Sequence, residues 1–150
     1  MYFSQYKQDN FLNEVIFSNK RVGFFIDIGA YDGVTISNSL FFERFKNWEG
    51  ICIEPNPAVY NQLIANRKSI NLNVCIGNEN KNVRFTQIEG YSEMLSGVTE
   101  KYDERHIQRI NNDILLKGGS RTDIEVEMIT LSSIDGIKDK IIDFISIYRR

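Results

Sequence analysis

The sequence predicts an α/β fold with a mostly parallel sheet and helices on both faces. Short apolar runs that end in an acid or a glycine alternate with stretches in which apolar residues recur every three or four positions. Such strand–helix–strand alternation produces parallel strands with right-handed crossovers. At 150 residues the chain is long enough for one domain, and we expect residues 1–150 to form a single one.

Composition excludes several classes of function. Hydrophobic residues make up 42% of the chain and charged residues 25%, as in ordinary globular proteins, and the net charge of -2 gives no footprint for nucleic acid or an anionic membrane. No apolar run is long enough to span a bilayer and no signal peptide precedes the first strand, so we expect a cytoplasmic protein. Cys52 and Cys75 lie in apolar runs, which favours reduced core thiols, and with one histidine we predict no metal site.

The segment from Phe24 to Gly33 predicts a ligand-cradling strand, turn and helix. Its sequence, F-F-I-D-I-G-A-Y-D-G, indicates a short buried strand that carries Asp27 and a tight turn bracketed by Gly29 and Gly33. A helix is predicted to start near Thr35. Glycines would let the backbone approach a small molecule, and the first N–H groups of the helix would face the same space.

The chemistry of this turn disfavours phosphate. A pyrophosphate site would carry G-x-G-x-x-G, but Ala30 and Tyr31 stand where the second glycine should fall, and Asp32 adds a negative charge. A cationic or amino-bearing nucleoside suits such a turn better, and S-adenosylmethionine is the common one.

A second acid follows the next predicted strand. The run Gly50–Pro55 ends in Glu54, about 20 residues beyond the glycine turn, where an acid in nucleoside-binding α/β folds accepts hydrogen bonds from ribose hydroxyls. Asn56 and Pro57 then supply an N-cap and a first helical residue.

A third strand is predicted from Ile70 to Ile76, ended by Gly77. Ligands of parallel sheets bind at the carboxyl ends of the strands. We therefore expect Asp27, Glu54 and the pair Ile76–Gly77 to converge on one edge, with the last pair flanking the base.

The N-terminal 20 residues predict an amphipathic helix that lies on the sheet through Phe11, Leu12, Val15 and Ile16. The polar lead-in Ser4–Asp9, which includes Gln5, either caps this helix or also reaches the ligand.

The second half of the chain has a different pattern. Val83–Ile88 and Ile124–Leu131 are strand-like and would extend the sheet or form a hairpin, and Glu100–Lys117 is predicted as a surface helix in which His106 is solvated rather than catalytic. Residues 89–97 form either a lid or a plain surface loop. Residues 143–147 predict a fourth buried strand.

The motifs F-I-D-I-G-A-Y-D-G, G-I-C-I-E-P-N-P and I-D-F-I-S-I, with the lead-in S-Q-Y-K-Q-D, resemble those of the FkbM-type methyltransferases. That family has the Rossmann-like class I methyltransferase fold and uses S-adenosyl-L-methionine. The resemblance implies that the glycine turn surrounds the methionine part of the cofactor, that Glu54 holds the ribose, and that Pro55 and Asn56 lie beside the adenine. The full set of predicted cofactor-binding residues is Gln5, Asp27, Gly29, Ala30, Tyr31, Asp32, Gly33, Glu54, Pro55, Asn56, Ile76 and Gly77.

The sequence departs from the family pattern at three places. Lys7 replaces the glycine of the lead-in, and Tyr31 stands where the family often has Asn. Tyr148, Arg149 and Arg150 replace the D-x-E-G that follows the family's fourth strand, and the family's final strands are missing, so the domain is predicted to be incomplete at its C-terminus. We expect the fourth strand to be an open edge that pairs with a second copy of the chain, or else a marginally stable protein.

These observations favour an S-adenosylmethionine-dependent O-methyltransferase that acts on a sugar or glycan hydroxyl, as members of the family do. The catalytic base is unknown, because Tyr148 occupies the position of the natural candidate, and neither His106 nor Glu93 is a convincing substitute. The alternative is a truncated, non-catalytic remnant that binds S-adenosylmethionine or a partner chain without turnover. An NAD-dependent oxidoreductase is disfavoured by the missing G-x-G-x-x-G.

Overall fold

The computed structural model describes residues 1–148, which form two compact units. The first unit comprises residues 1–73 and the described residues from 131 onward, and the second comprises residues 74–130. Arg149 and Arg150, two of the residues that replace the family's D-x-E-G, lie outside the described residues. In chain order the elements are α1 (Gln8–Phe11), β1 (Phe24–Ile28), α2 (Leu40–Lys46), β2 (Glu49–Ile53), α3 (Pro57–Asn66), β3 (Ile70–Leu72), β4 (Cys75–Ile76), β5 (Lys81–Glu89), β6 (Gly97–Val98), α4 (Glu104–Lys117), β7 (Ser120–Ile129) and β8 (Phe144–Ile147).

The first unit contains a parallel four-stranded sheet in the order β3-β2-β1-β8. α2 connects β1 to β2 and α3 connects β2 to β3, as the alternating pattern predicts. Phe42 of α2 and Leu63 of α3 share one buried cluster with Phe25 and Cys52 of the sheet. The chain therefore has a Rossmann-like α/β fold, and the predicted fold class is confirmed.

The start of α3 follows the prediction. Asn56 has extended backbone angles and its side-chain oxygen accepts a hydrogen bond from the backbone N–H of Ala58 at 3.1 Å, while Pro57 is the first helical residue. An N-cap oxygen satisfies a donor that has no partner within the helix, and proline loses nothing at a position whose N–H is unpaired anyway. Local chemistry alone fixes this boundary.

The helix after the glycine turn begins at Leu40, so the predicted start near Thr35 is wrong. Asp32 accepts hydrogen bonds from the backbone N–H groups of Val34 and Thr35 at 2.8 and 2.7 Å, and Ile36 has a left-handed backbone with φ 55°. Such local side-chain bonds compete with helix formation, and a left-handed residue interrupts it.

The predicted third strand is split between the two sheets. Ile70–Leu72 pairs with β2 in the first unit, whereas Cys75–Ile76 pairs in parallel with β7 in the second. At the break, the Asn73 side chain donates hydrogen bonds to the carbonyl oxygens of Glu54 and Pro55 at 2.7 and 3.1 Å. These side-chain bonds take the place of the strand ladder.

The N-terminal helix exists, but its predicted buried face is wrong at three of its four residues. α1 continues into a π-helical turn at Leu12–Ile16, and the buried residues are Asp9 and Asn13. Of the four predicted residues, Leu12 packs against the core cluster, whereas Phe11, Val15 and Ile16 are exposed. Asp9 is buried because its carboxylate folds the lead-in back onto the helix. It accepts the backbone N–H groups of Phe3 and Ser4 and the Ser4 hydroxyl.

The second unit is built on an antiparallel ladder between β5 and β7, which runs from Lys81↔Met128 to Glu89↔Ser120. β4 lies beside β7 and β6 beside β5. In the described residues the two predicted strands therefore pair with each other in a second sheet and do not extend the first. The predicted alternation of β7 is confirmed, with the side chains of Val126 and Met128 buried and that of Glu127 exposed.

His106 lies in α4 and is less exposed than the sequence predicts. Asp103 caps the helix by accepting the His106 backbone N–H at 2.8 Å, and Ile110 is buried. The His106 ring is not simply solvated, because it stacks on Tyr102 with ring centroids 4.6 Å apart. Its Nε2 atom is buried and has no hydrogen-bond partner among residues 1–148.

No helix within the same described range is long and apolar enough to cross a membrane.

β8 is the outermost strand of the first sheet as the structure describes it. Among the described residues it pairs with one strand, β1, and Ile145 and Ile147 are exposed on it. Because an edge strand with exposed apolar side chains pairs readily with another chain, we expect a homodimer that Ile147→Lys dissociates, measured by sedimentation equilibrium. Ile141→Lys, at an exposed isoleucine outside the strand, is the control. A monodisperse wild-type monomer would contradict the prediction.

Candidate functional site

Two buried acids lie at the carboxyl ends of neighbouring parallel strands. Asp27 belongs to β1 and is 4% exposed, and Glu54 directly follows β2 and is 2% exposed. The register pairs Asp27 with Cys52, two residues before Glu54. This edge of an open parallel sheet is the usual position of ligand sites.

Glu54 is held by backbone N–H groups from two segments. Its Oε2 accepts a hydrogen bond from the N–H of Tyr31 in the glycine turn, and its Oε1 accepts one from the N–H of Asn56, both at 3.0 Å. Hydrogen bonds to a charged group are stronger than neutral ones. The carboxylate therefore joins the turn after β1 to the start of α3 and has a fixed orientation.

The glycine turn is tied to the end of β2 by its backbone. The N–H groups of Gly29 and Ala30 both donate to the Ile53 carbonyl oxygen, at 2.9 and 3.0 Å. Gly29 and Gly33 have φ values of +79°, which disfavour any residue with a Cβ.

The same two glycines leave room for the chain itself. A Cβ at Gly29 would lie 2.9 Å from the Tyr148 carbonyl oxygen, and one at Gly33 would lie 2.5 Å from the Arg67 Cγ. The predicted approach of a small molecule to this backbone stays a prediction. In the structure their lack of a side chain accommodates Tyr148 and Arg67.

Asp27 is linked to a buried arginine through a serine. Its Oδ2 accepts the Ser39 hydroxyl at 2.5 Å, and Ser39 Oγ accepts Arg67 Nη2–H at 3.0 Å. The Arg67 side chain is 0% exposed, and its Nε donates to Glu43 Oε2 at 2.9 Å while Nη1 donates to the Gly33 carbonyl oxygen at 3.1 Å. Sequence reasoning found Asp27 but missed Ser39, Arg67 and Glu43.

One comparison with known proteins decides the family. The family model described as "Methyltransferase FkbM domain" matches residues 27–147. The chain belongs to the FkbM methyltransferase-domain family. This membership, which confirms the resemblance seen in the motifs, supports a methyltransferase in general. No curated protein and no solved structure matches the chain.

In this FkbM domain, three of the predicted site residues also stabilise local structure. Asp32 bonds to the backbone of its own turn, Asn56 caps α3, and the Pro55 carbonyl oxygen accepts from Asn73. Their contact with a cofactor stays a prediction.

Three further residues of the predicted site are Gln5, Ile76 and Gly77, which make none of the hydrogen bonds described above. Gln5 is exposed in the lead-in before α1. Ile76 and Gly77 belong to the second unit, where the Gly77 N–H donates to the Ile129 carbonyl oxygen at 2.9 Å. Their role beside the base also stays a prediction.

The functional groups at this edge of the sheet include the carboxylates of Asp27 and Glu54 and the hydroxyl of Ser39. Within residues 1–148 no group of three or more His, Cys, Asp or Glu side chains could hold a metal ion. Cys52 and Cys75 are buried thiols that form no disulfide, as predicted, and burial raises the pKa of the Cys52 thiol to about 12. Cys52 is therefore an inert core thiol at neutral pH rather than a nucleophile.

Proposed function

We propose that the protein is an S-adenosylmethionine-dependent O-methyltransferase that acts on a sugar or glycan hydroxyl. The observation that carries the proposal is the pair Asp27 and Glu54, buried at the carboxyl ends of neighbouring parallel strands with the glycine turn between them in sequence. Family membership supports the methyl-transfer part of the proposal.

The residues at this edge fit the cofactor's chemistry. A carboxylate accepts several hydrogen bonds, so the ribose hydroxyls of a nucleoside can donate to Glu54, whose orientation the backbone already fixes. The negative charge of Asp27 suits a ligand that carries a sulfonium and an ammonium group. Phosphate-bearing nucleotides would instead be repelled by these acids.

The methyl donor, when bound, supplies an electrophilic methyl group on its positive sulfur. The chain's part is to hold the donor and an acceptor hydroxyl in line, with the reacting atoms about 3 to 3.5 Å apart. A sugar hydroxyl is protonated at neutral pH, so its proton must leave to a base during transfer. We assign no residue to that base.

Isothermal titration calorimetry with S-adenosylhomocysteine tests the cofactor assignment, and NAD serves as the control ligand. We expect saturable binding of the first and no heat from the second, because the turn lacks the pyrophosphate motif and adds Asp32. Binding of NAD alone would refute the proposal.

A second measurement separates turnover from binding. Transfer of a tritiated methyl group to a panel of mono- and oligosaccharides is expected to produce base-stable methyl ethers. A protein that binds S-adenosylhomocysteine but labels no acceptor of the panel would support the non-catalytic alternative.

A further inference from the structure

Arg67 is a buried cation that the proposed function does not use. Its side chain is 0% exposed, and the guanidinium makes hydrogen bonds in three directions. It also lies over the Phe25 ring, with Cζ 5.4 Å from the ring centroid. A fully buried charge is costly unless it is paired and hydrogen-bonded, so each of these contacts constrains where the guanidinium sits.

Two nitrogen atoms of the guanidinium have different partners, Glu43 of α2 for Nε and Ser39 for Nη2. Nε pairs with Glu43 of α2, which compensates the charge and holds α2 against the end of α3. Nη2 instead donates to Ser39 Oγ, and Ser39 is fully buried. The structural contact and the contact that leads to Asp27 therefore use different nitrogen atoms.

The arginine determines which way the Ser39 hydroxyl points. A guanidinium can only donate, so Ser39 Oγ must act as the acceptor towards Nη2. Its own proton then goes to Asp27 Oδ2, 2.5 Å away. One oxygen of Asp27 is therefore held against the Ser39 hydroxyl.

We propose that Arg67 is a positioning residue for the methyl-donor site, acting through Ser39 to fix the orientation of the Asp27 carboxylate. The inference rests on the proposed function, because it assumes that Asp27 contacts the cofactor. It adds that the affinity for the cofactor depends on two residues that do not themselves touch it.

The test uses three single variants of the full chain and one double variant. Ser39→Ala removes the link to Asp27, and Arg67→Lys removes the fork that reaches both Glu43 and Ser39. Glu43→Gln is the matched control, since it keeps an oxygen acceptor for Nε but removes the charge and the acceptor of the Lys68 backbone N–H. The dissociation constant for S-adenosylhomocysteine is measured by calorimetry, and the melting temperature is measured on the same samples.

We expect Ser39→Ala and Arg67→Lys each to weaken binding about tenfold, as the loss of a hydrogen bond to a charged group would. The double variant combines Ser39→Ala with Arg67→Lys. It should bind no more weakly than the weaker-binding single variant, because both changes break the same chain of hydrogen bonds. Glu43→Gln should lower the melting temperature and change the dissociation constant by less than about twofold. A merely structural role for Arg67 predicts instead that the affinity follows the melting temperature through all four variants.

The outcomes distinguish the two proposals. Wild-type protein that fails to bind S-adenosylhomocysteine overturns the proposed function and this inference with it. Wild-type protein that binds, together with a folded Ser39→Ala variant of unchanged affinity, overturns this inference alone. If Arg67→Lys does not fold, the comparison of Ser39→Ala with Glu43→Gln decides the result.

Discussion

Replacing Glu54 with Gln is expected to weaken binding of S-adenosylhomocysteine about a hundredfold. The two carboxylate oxygens each accept a backbone N–H, from Tyr31 and from Asn56. A glutamine has one oxygen and one NH₂ group, so one of the two N–H groups would face another donor. The lost charge-assisted bonds and the displaced turn account for about 2 to 3 kcal/mol.

The matched control for this substitution lies at the other end of the same strand. Glu49 is the first residue of β2, its side chain is 77% exposed, and its ion pair with Lys140 spans 3.3 Å. Exposed ion pairs contribute little, so Glu49→Gln should leave both affinity and melting temperature unchanged. Asp27→Asn should weaken binding as Glu54→Gln does. Folded Asp27→Asn and Glu54→Gln variants with wild-type affinity would refute the assigned site.

The sequence contained enough information for the first sheet because its signals are local. The apolar runs of β1 and β2 and the Asn56–Pro57 helix start each depend on neighbouring residues, and the structure has all three. The prediction of a single third strand is wrong because the run from Ile70 to Ile76 has a continuous pattern but pairs with two different strands, β2 and β7. Which strand supplies the ladder is a property of the folded chain, not of the run.

The N-terminal helix shows the same limit in a different form. The periodic apolar residues from position 11 to position 16 correctly predict a helix there, but the prediction assigns all of the apolar stripe to the core. In the structure Asp9 and Asn13 face inward, because Asp9 satisfies the N–H groups of Phe3 and Ser4. The hydrogen-bond demand of the preceding segment decides the orientation, and periodicity does not contain that demand.

The sequence predicted some residues of the candidate site and missed others. The acids Asp27 and Glu54 were identifiable because strand ends of a parallel sheet must share an edge. The Ser39–Arg67 contact joins residues 28 positions apart, with nothing in the local pattern of either one to signal it. Likewise, the glycine at position 33 was recognisable as a turn residue, but the neighbour that requires its missing side chain is Arg67.

Replacing Phe42 with Ala is expected to destabilise the first unit by about 3 to 5 kcal/mol. Phe42 is 0% exposed, and its ring lies 4.7 Å from Trp48, 5.2 Å from Phe144 and 5.8 Å from Phe17, measured between ring centroids. Removing the ring opens a cavity between α2, β8 and the segment after α1. Aromatic pairs of this kind also contribute beyond the area they bury.

Phe45, one turn further along α2, provides the comparison. It is 49% exposed, and we expect Phe45→Ala to cost about 1 kcal/mol or less. Urea unfolding followed by fluorescence measures both, because Trp48 is the single tryptophan of the chain and lies in the Phe42 cluster. Phe42→Leu, which leaves a smaller cavity, keeps the measurement possible if the alanine variant is unfolded in buffer. Equal losses at positions 42 and 45 would show that the aromatic cluster is not the centre of the core, since burial is what separates the two rings.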